Sequence, residues 1–158
     1  MEKSEVEGML PDLLGSVFGE QNVSDEVFSY CVGIDEGLAS VVLTDDYLKI
    51  NGASIGGVED GPAFFQAVAG YGQQFPLGTP VYWEGGSGNF NLLIQTSVPY
   101  SLLGWEYRPS LQFLVNTIQT MAEVGYQFAN MVRPTLGGTL LSPAQEPDRA
   151  FFAMHAGL

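Results

Sequence analysis

The spacing of apolar residues in the first twenty positions predicts an amphipathic helix. Ser4, followed by Glu7 three residues later, fits the capping box that begins a helix, and Gly19 is suited to end it. Pro11 lies inside the pattern and predicts either a kink or the point where the stable part of the helix begins. The apolar positions recur at intervals of three and four residues: Val6, Met9, Leu10, Leu13, Leu14 and Val17.

Two further helices follow the same rule. Asp60 and Gly61 precede Pro62, a favoured residue in a first helical turn, so PAFFQAVAGY is predicted as a short helix that ends near Gly72. The third helix is predicted from near Pro109 to Val132, where helical spacing of apolar residues continues for about six turns. Glu123 is the one charged residue in that range, so we expect part of this helix to be covered.

Five runs rich in β-branched and aromatic residues predict strands. The first three are separated by short turns and predict an antiparallel meander, whereas the last two predict a hairpin. The turn GGSGN joins the last two, and glycine with Asn89 is suited to the positive φ of a tight turn. The runs are VFSYCV (27–32), LASVVL (38–43), DYLKI (46–50), PVYWE (80–84) and FNLLIQTS (90–97).

The order of these elements, α-βββ-α-ββ-α, predicts an α+β fold in which helices pack on an antiparallel sheet. We expect one domain over residues 1–133. After it, a stretch containing Pro and Gly predicts a separate C-terminal tail, residues 134–158, which ends in AFFAMHAGL.

Charge and composition narrow the classes of partner. The net charge is −13, and 13 of the 18 carboxylates lie in residues 1–60. Nucleic acid is an unexpected partner, since the chain holds 5 Lys and Arg residues. The acidity fits either solubility or attraction of a basic or amphipathic polypeptide. No apolar run reaches the ~20 residues that span a bilayer, so we expect no membrane insertion. The N-terminus lacks a signal peptide's apolar stretch, and Cys31 has no second cysteine in the chain with which to form a disulfide. We therefore expect a cytoplasmic protein.

Motifs of catalytic and metal chemistry are not found. GGSGN lacks the lysine of a phosphate-binding loop and lies between two strands, and no serine stands in a G-x-S-x-G elbow. The adjacent carboxylates Asp35/Glu36, Asp45/Asp46 and Glu59/Asp60 fall in turn contexts, where such residues are common. Cys31 and His155 alone are too few for a usual zinc site. The sequence therefore predicts a protein that is not an enzyme and holds no metal or cofactor.

Four stretches carry a resemblance to a known family. They are YCVGIDEGLASVVLTDDYLKINGASIG, GPAFFQAVAGYGQQF, PVYWEGGSGNFNLLIQTSVPY and LQFLVNTIQTMAEVGYQF, within about residues 5–132. In size, acidity and element order the chain resembles the class I type III secretion chaperones, homodimeric proteins of Gram-negative bacteria that hold effectors before export. Within this family it looks somewhat like the acidic multi-cargo chaperones of plant pathogens. The resemblance implies secreted effectors as partners, a homodimer, and contact with the export ATPase.

The resemblance also implies two sets of site residues. The cargo segment, bound in extended form, would contact Leu10, Leu13, Leu14, Phe28, Tyr30, Leu38 and Val42. The dimer contact would use Phe64, Phe65, Val68, Tyr82 and Trp83. Ordinary core packing is the alternative for the cargo set, because periodicity does not say what covers an apolar face. Two adjacent phenylalanines on a ten-residue helix favour an interface.

A second function remains open from the charge alone. An acidic immunity or antitoxin protein would neutralise a basic toxin through complementary charge, and its binding would be sensitive to salt. A small hydrolase or ligand-binding domain is a third possibility, which would need an organised polar pocket.

Overall fold

Helices and an antiparallel sheet form the α+β fold that the sequence predicts. The computed structural model describes residues 1–26, 29–75, 77–85, 87–104 and 108–140. Its helices are α1 (Lys3–Phe18), α2 (Gly61–Gln74) and α3 (Arg108–Leu136). Its strands are β1 (Val23–Glu26), β2 (Ser29–Ile34), β3 (Gly37–Leu43), β4 (Tyr47–Ala53), β5 (Ile55–Gly56), β6 (Thr79–Glu84), β7 (Phe90–Pro99) and β8 (Thr139–Leu140).

The main sheet has six strands in the order β1-β2-β3-β4-β7-β6, with every neighbouring pair antiparallel. Strands β2, β3 and β4 form the predicted meander, and β6 with β7 the predicted hairpin. Among the described residues of the hairpin turn, Gly88 has a positive φ of 81°, whereas Asn89 does not, so the prediction for Asn89 is wrong. Strand β1 was not predicted, because Ser24 and Asp25 have low strand propensity.

Helix α1 begins earlier than predicted. Glu2, and not Ser4, is the N-cap, and the Glu5 carboxylate accepts a hydrogen bond from the Glu2 backbone N–H at 3.1 Å. The helix continues through Pro11, which is exposed and which, lacking an N–H, makes no helical hydrogen bond to the carbonyl four residues before it. It ends at Phe18, and Gly19 follows with a φ of 90°, which confirms the predicted stop.

Helix α3 ends later than the sequence indicated. It passes Pro134 and ends at Leu136, after which Gly137 donates its N–H to the Arg133 carbonyl at 2.8 Å. The chain then adds β8, which pairs with β5. The first seven residues of the expected tail are therefore ordered against the domain, and residues 141–158 lie outside the described residues.

The two faces of the main sheet differ in what lies on them. The helical face carries the main core, and α1, α2 and α3 all pack on it; its strand residues include Val32, Ala39, Val41, Leu48, Ile50, Leu92 and Ile94. Helix α3 lies so close that a Cβ placed on Gly52 would be 1.8 Å from the Met121 carbonyl oxygen. We call the opposite side the second face; it includes Cys31, Leu38, Ser40, Asn51, Ala53, Leu93 and Trp83.

Candidate interaction surfaces

Candidates for function in the described part of the chain include a groove and two surfaces. Among the described residues, no group of three His, Cys, Asp or Glu side chains is placed to hold a metal ion, and no helix is long and apolar enough to cross a membrane. A groove of about 580 Å³ lies between the β2–β3 turn and α3. Its lining contains carboxylates and amides, and the Tyr126 hydroxyl donates to the Glu36 carboxylate.

Four aromatic rings meet where α2 lies on the last hairpin, and we call them the aromatic patch: Phe64, Phe65, Tyr82 and Phe90. Phe64 stacks on Phe90 with ring centroids 5.4 Å apart, and Phe65 meets the Tyr82 ring edge to face at 5.2 Å. Phe64 is fully buried, whereas Phe65 is 42 % exposed and Tyr82 is 49 % exposed. The patch thus presents two large exposed rings, which pack on the buried ring of Phe64 and on the half-buried Phe90.

Local sequence explains how the patch forms. The Asp60 carboxylate caps α2 by accepting a hydrogen bond from the Ala63 N–H at 3.1 Å. This cap fixes the N-terminus of the helix, and therefore the positions of Phe64 and Phe65 along it. Tyr82 and Phe90 lie on paired strands and point to the same face of the hairpin. A Cβ on Gly61 would be 3.0 Å from the Phe90 ring, so glycine leaves room for that ring.

The patch lies beside a sheet edge. Strand β6 is the last strand of the main sheet and pairs there with β7. An edge strand carries backbone N–H and C=O groups that can pair with a strand of another chain. Exposed rings next to such an edge combine apolar area with backbone hydrogen-bonding capacity.

The structure brings together most of the residues predicted for the dimer contact. Phe64, Phe65 and Tyr82 belong to the patch, and Val68 is half-buried on the same helix. Trp83 is separate, because neighbouring strand residues point to opposite faces and its side chain lies on the second face. Phe90 was missed; its signal was its place beside the turn, where hairpin pairing puts it on the same side as Tyr82.

A second candidate surface is the groove between α1 and β1. It has a volume of about 230 Å³ and is lined by Pro11, Gly15, Glu20, Val23, Asp25 and Tyr30. Strand β1 is the other edge of the main sheet, so this groove also adjoins an edge. Burial, and then the charges of Asp25 and Glu7, raise the pKa of Tyr30, which keeps its hydroxyl protonated.

The residues predicted to bind cargo are divided between the two faces of the sheet. Leu10 and Leu14 are fully buried in the main core, and Leu13 and Tyr30 are partly buried against it. A bound segment could reach the two buried leucines only if α1 moved. Leu38 and Val42 lie on the second face, and Phe28 lies outside the described residues. The assignment of this set to cargo stays a prediction.

Carboxylates surround the region where α1 meets the start of β4. Lys3 pairs there with Asp45, with Nζ and Oδ1 3.2 Å apart, and Asp46 is also exposed. Burial, followed by the charges of Glu7, Asp45 and Asp46, raises the pKa of Tyr100 to about 12. This corner of the molecule is strongly negative.

Comparisons with models of protein families and with curated proteins give no match to this sequence. The function is therefore argued from the surfaces described above.

Proposed function

We propose that this protein is a cytoplasmic, homodimeric export chaperone. It binds the N-terminal region of type III secreted effectors and keeps that region partly extended. The observation that carries the proposal is the aromatic patch beside the β6 edge, together with a second groove beside the opposite edge. A protein that holds extended polypeptide needs edges and apolar grooves.

The aromatic patch supports a contact between two copies of the chain. Phe65 and Tyr82 each leave more than two fifths of their surface exposed. Covering apolar surface contributes roughly 25 cal/mol per Å², so two large rings favour association. In a twofold dimer each copy supplies the same patch, and α2 and β6 of one copy face those of the other.

The groove between α1 and β1 supports cargo binding. An extended segment added beside β1 would make backbone hydrogen bonds, and its apolar side chains would lie against Val23 and Tyr30. This binding mode would be largely apolar, so it would persist in high salt. Ordering of a bound segment in this way typically buries on the order of 1,000–3,000 Å².

The test is co-expression with candidate secreted proteins, followed by protease mapping of the cargo segment that is protected. We expect a protected N-terminal segment of the effector that stays bound in 1 M NaCl, and Tyr30→Glu should release it. The control is Tyr47→Glu, which changes an exposed tyrosine outside the groove. Equal protection by both variants, or no protected segment, would contradict the cargo proposal.

The negative corner around Asp45 and Asp46 favours one alternative, an acidic immunity or antitoxin protein. That function would give a monomer with one tight basic partner. Its complex would dissociate as salt increases, and Asp45→Asn with Asp46→Asn would weaken it.

A further inference from the structure

Strand β6 is the last strand of the described sheet, and the hydrogen bonds of its neighbour show which of its backbone groups point outwards. Glu84 pairs with Phe90 of β7. The Phe90 N–H donates to the Val58 carbonyl at 2.8 Å, and the Phe90 carbonyl accepts from the Val58 N–H at 3.0 Å. Both backbone groups of Phe90 therefore point away from β6, so Glu84 and Phe90 form a pair without hydrogen bonds between them.

The alternation of an antiparallel ladder then fixes the direction of the other residues of β6. Pairs with and without hydrogen bonds alternate, so Tyr82 makes none to Leu92, and Pro80 makes none to its own partner. The Leu92 carbonyl agrees with this, because it accepts from the Ser54 N–H, on the side away from β6, at 3.2 Å. The backbone groups of Pro80, Tyr82 and Glu84 therefore point to the outer edge.

This pattern makes the outer edge of β6 short. Pro80 has no N–H, so within Thr79–Glu84 the outward N–H donors are those of Tyr82 and Glu84. An extended cargo segment gains affinity from a longer run of main-chain hydrogen bonds than this edge provides. A second copy of β6 has the same short pattern, and Tyr82 already belongs to the aromatic patch proposed as the contact between copies.

We infer that β6 pairs antiparallel with β6 of a second copy, with Trp83 of each copy at the twofold axis. Tyr82 of one copy is then opposite Glu84 of the other. The inference rests on the dimer of the proposed function and specifies how its two sheets join. Because the axis is perpendicular to the sheet, the two aromatic patches lie on the same face of one continuous sheet.

Backbone hydrogen bonding selects this register from the others available within Thr79–Glu84. With Trp83 at the axis, the N–H and carbonyl groups of Tyr82 and Glu84 are all paired. With Tyr82 at the axis, Pro80 of one copy would be opposite Glu84 of the other. The Glu84 carbonyl would then meet a proline ring in place of an N–H.

Disulfide formation between copies tests the register. In the inferred pairing the two Trp83 residues form a pair without hydrogen bonds, whose Cα atoms lie about 4.5 Å apart. A disulfide joins Cα atoms about 4.4–6.8 Å apart. The two Glu84 residues are offset by two positions along the strands, which places their Cα atoms about 8 Å apart.

Trp83→Cys and the control Glu84→Cys are each made with Cys31→Ala, which removes the single cysteine of the natural chain, and are oxidised at micromolar concentration. We expect Trp83→Cys to give a disulfide-linked dimer at least about tenfold faster than Glu84→Cys, because the control cysteines are too far apart. Light scattering before oxidation reports the mass of each sample. A dimer in which Trp83→Cys links no faster than the control would overturn the register and leave the proposed dimer intact. A single-chain mass for the unaltered chain would overturn both.

Amide hydrogen exchange covers the case in which Trp83→Cys does not fold or associate. In the unaltered dimer the protection factor of the Glu84 N–H should be at least about tenfold higher than in Phe65→Asp with Tyr82→Asp, the variant that disrupts the aromatic patch. The Trp83 N–H points to β7, so its protection factor should be the same in both and is the internal control. No loss at Glu84, or a loss of equal size at Trp83, would contradict the inference.

Discussion

Gly52 is where α3 comes closest to the sheet, so Gly52→Ala tests the packing on which the fold depends. A Cβ on this residue would be 1.8 Å from the Met121 carbonyl oxygen and 2.5 Å from its carbonyl carbon. Both atoms belong to helix backbone, which cannot turn aside as a flexible side chain can. Relief therefore requires a shift of the whole helix or of β4.

The size of the shift sets the expected cost. Close carbon–oxygen contacts are found at about 3.3 Å, so α3 must retreat by about 1.5 Å. That retreat loosens the packing of fully buried residues of α3, including Leu114 and Ile118. Adding a methyl group to a packed core typically costs about 1–3 kcal/mol. Because the obstacle here is backbone, we expect a loss of about 3 kcal/mol in the free energy of unfolding.

The assay is urea unfolding followed by circular dichroism at a fixed protein concentration, which keeps any contribution of association constant. Gly8→Ala is the matched control, since nothing lies within 4 Å of a Cβ there and the residue is exposed in α1. Alanine is the better helix former, so this control should gain about 0.5–1 kcal/mol.

Two results would refute the reasoning. If Gly52→Ala unfolds at the urea concentration of the unaltered chain, α3 does not lie on β4 as described. If Gly8→Ala is as destabilising as Gly52→Ala, the loss reflects something other than the close approach at Met121.

Two further predictions concern α2. Asp60→Ala removes the cap of this helix and should lower the free energy of unfolding, measured in urea, by about 0.5–2 kcal/mol. Asp60→Asn should lower it less, because asparagine is also a good cap. Equal losses in the two variants would contradict the capping role of Asp60. Burial raises the pKa of Tyr71 to about 12 from an ordinary 10.0, so the folded chain retains a proton that the unfolded chain loses. The free energy of unfolding should therefore fall by about 2 kcal/mol as pH rises from about 10 to 12. Tyr71→Phe should reduce that fall, because phenylalanine has no proton to lose. An unchanged pH dependence in Tyr71→Phe would show that the fall does not come from Tyr71.

The end of α1, the start of α2 and the last hairpin were predictable because their signals are local. Gly19 ends α1 and Asp60 caps α2, and each requirement involves only a few neighbouring residues. The start of α1 was missed because Glu2 and Glu5 take the roles expected of Ser4 and Glu7, and both pairs have the same spacing. Two local capping patterns of equal spacing can thus compete, and the sequence pattern does not distinguish between them.

The site was only partly predictable, because its grouping depends on strand faces and pairing. Alternation along β6 already places Tyr82 and Trp83 on opposite sides, which argues against one shared contact for both. The role of Phe90 depends on how β6 and β7 pair, and the position of Leu38 depends on which face the helices take. These are properties of the assembled sheet, and no single segment of the sequence contains them.

The mass in solution at micromolar concentration tests the central claim most directly, since the proposed chaperone is a dimer built on the aromatic patch. Light scattering should give about twice 17.0 kDa for the unaltered chain. Phe65→Asp with Tyr82→Asp should give the single-chain mass with an unchanged circular dichroism spectrum, and Phe113→Asp should remain a dimer. A monomeric unaltered chain, or a dimer that persists in the Phe65, Tyr82 variant, would contradict the account.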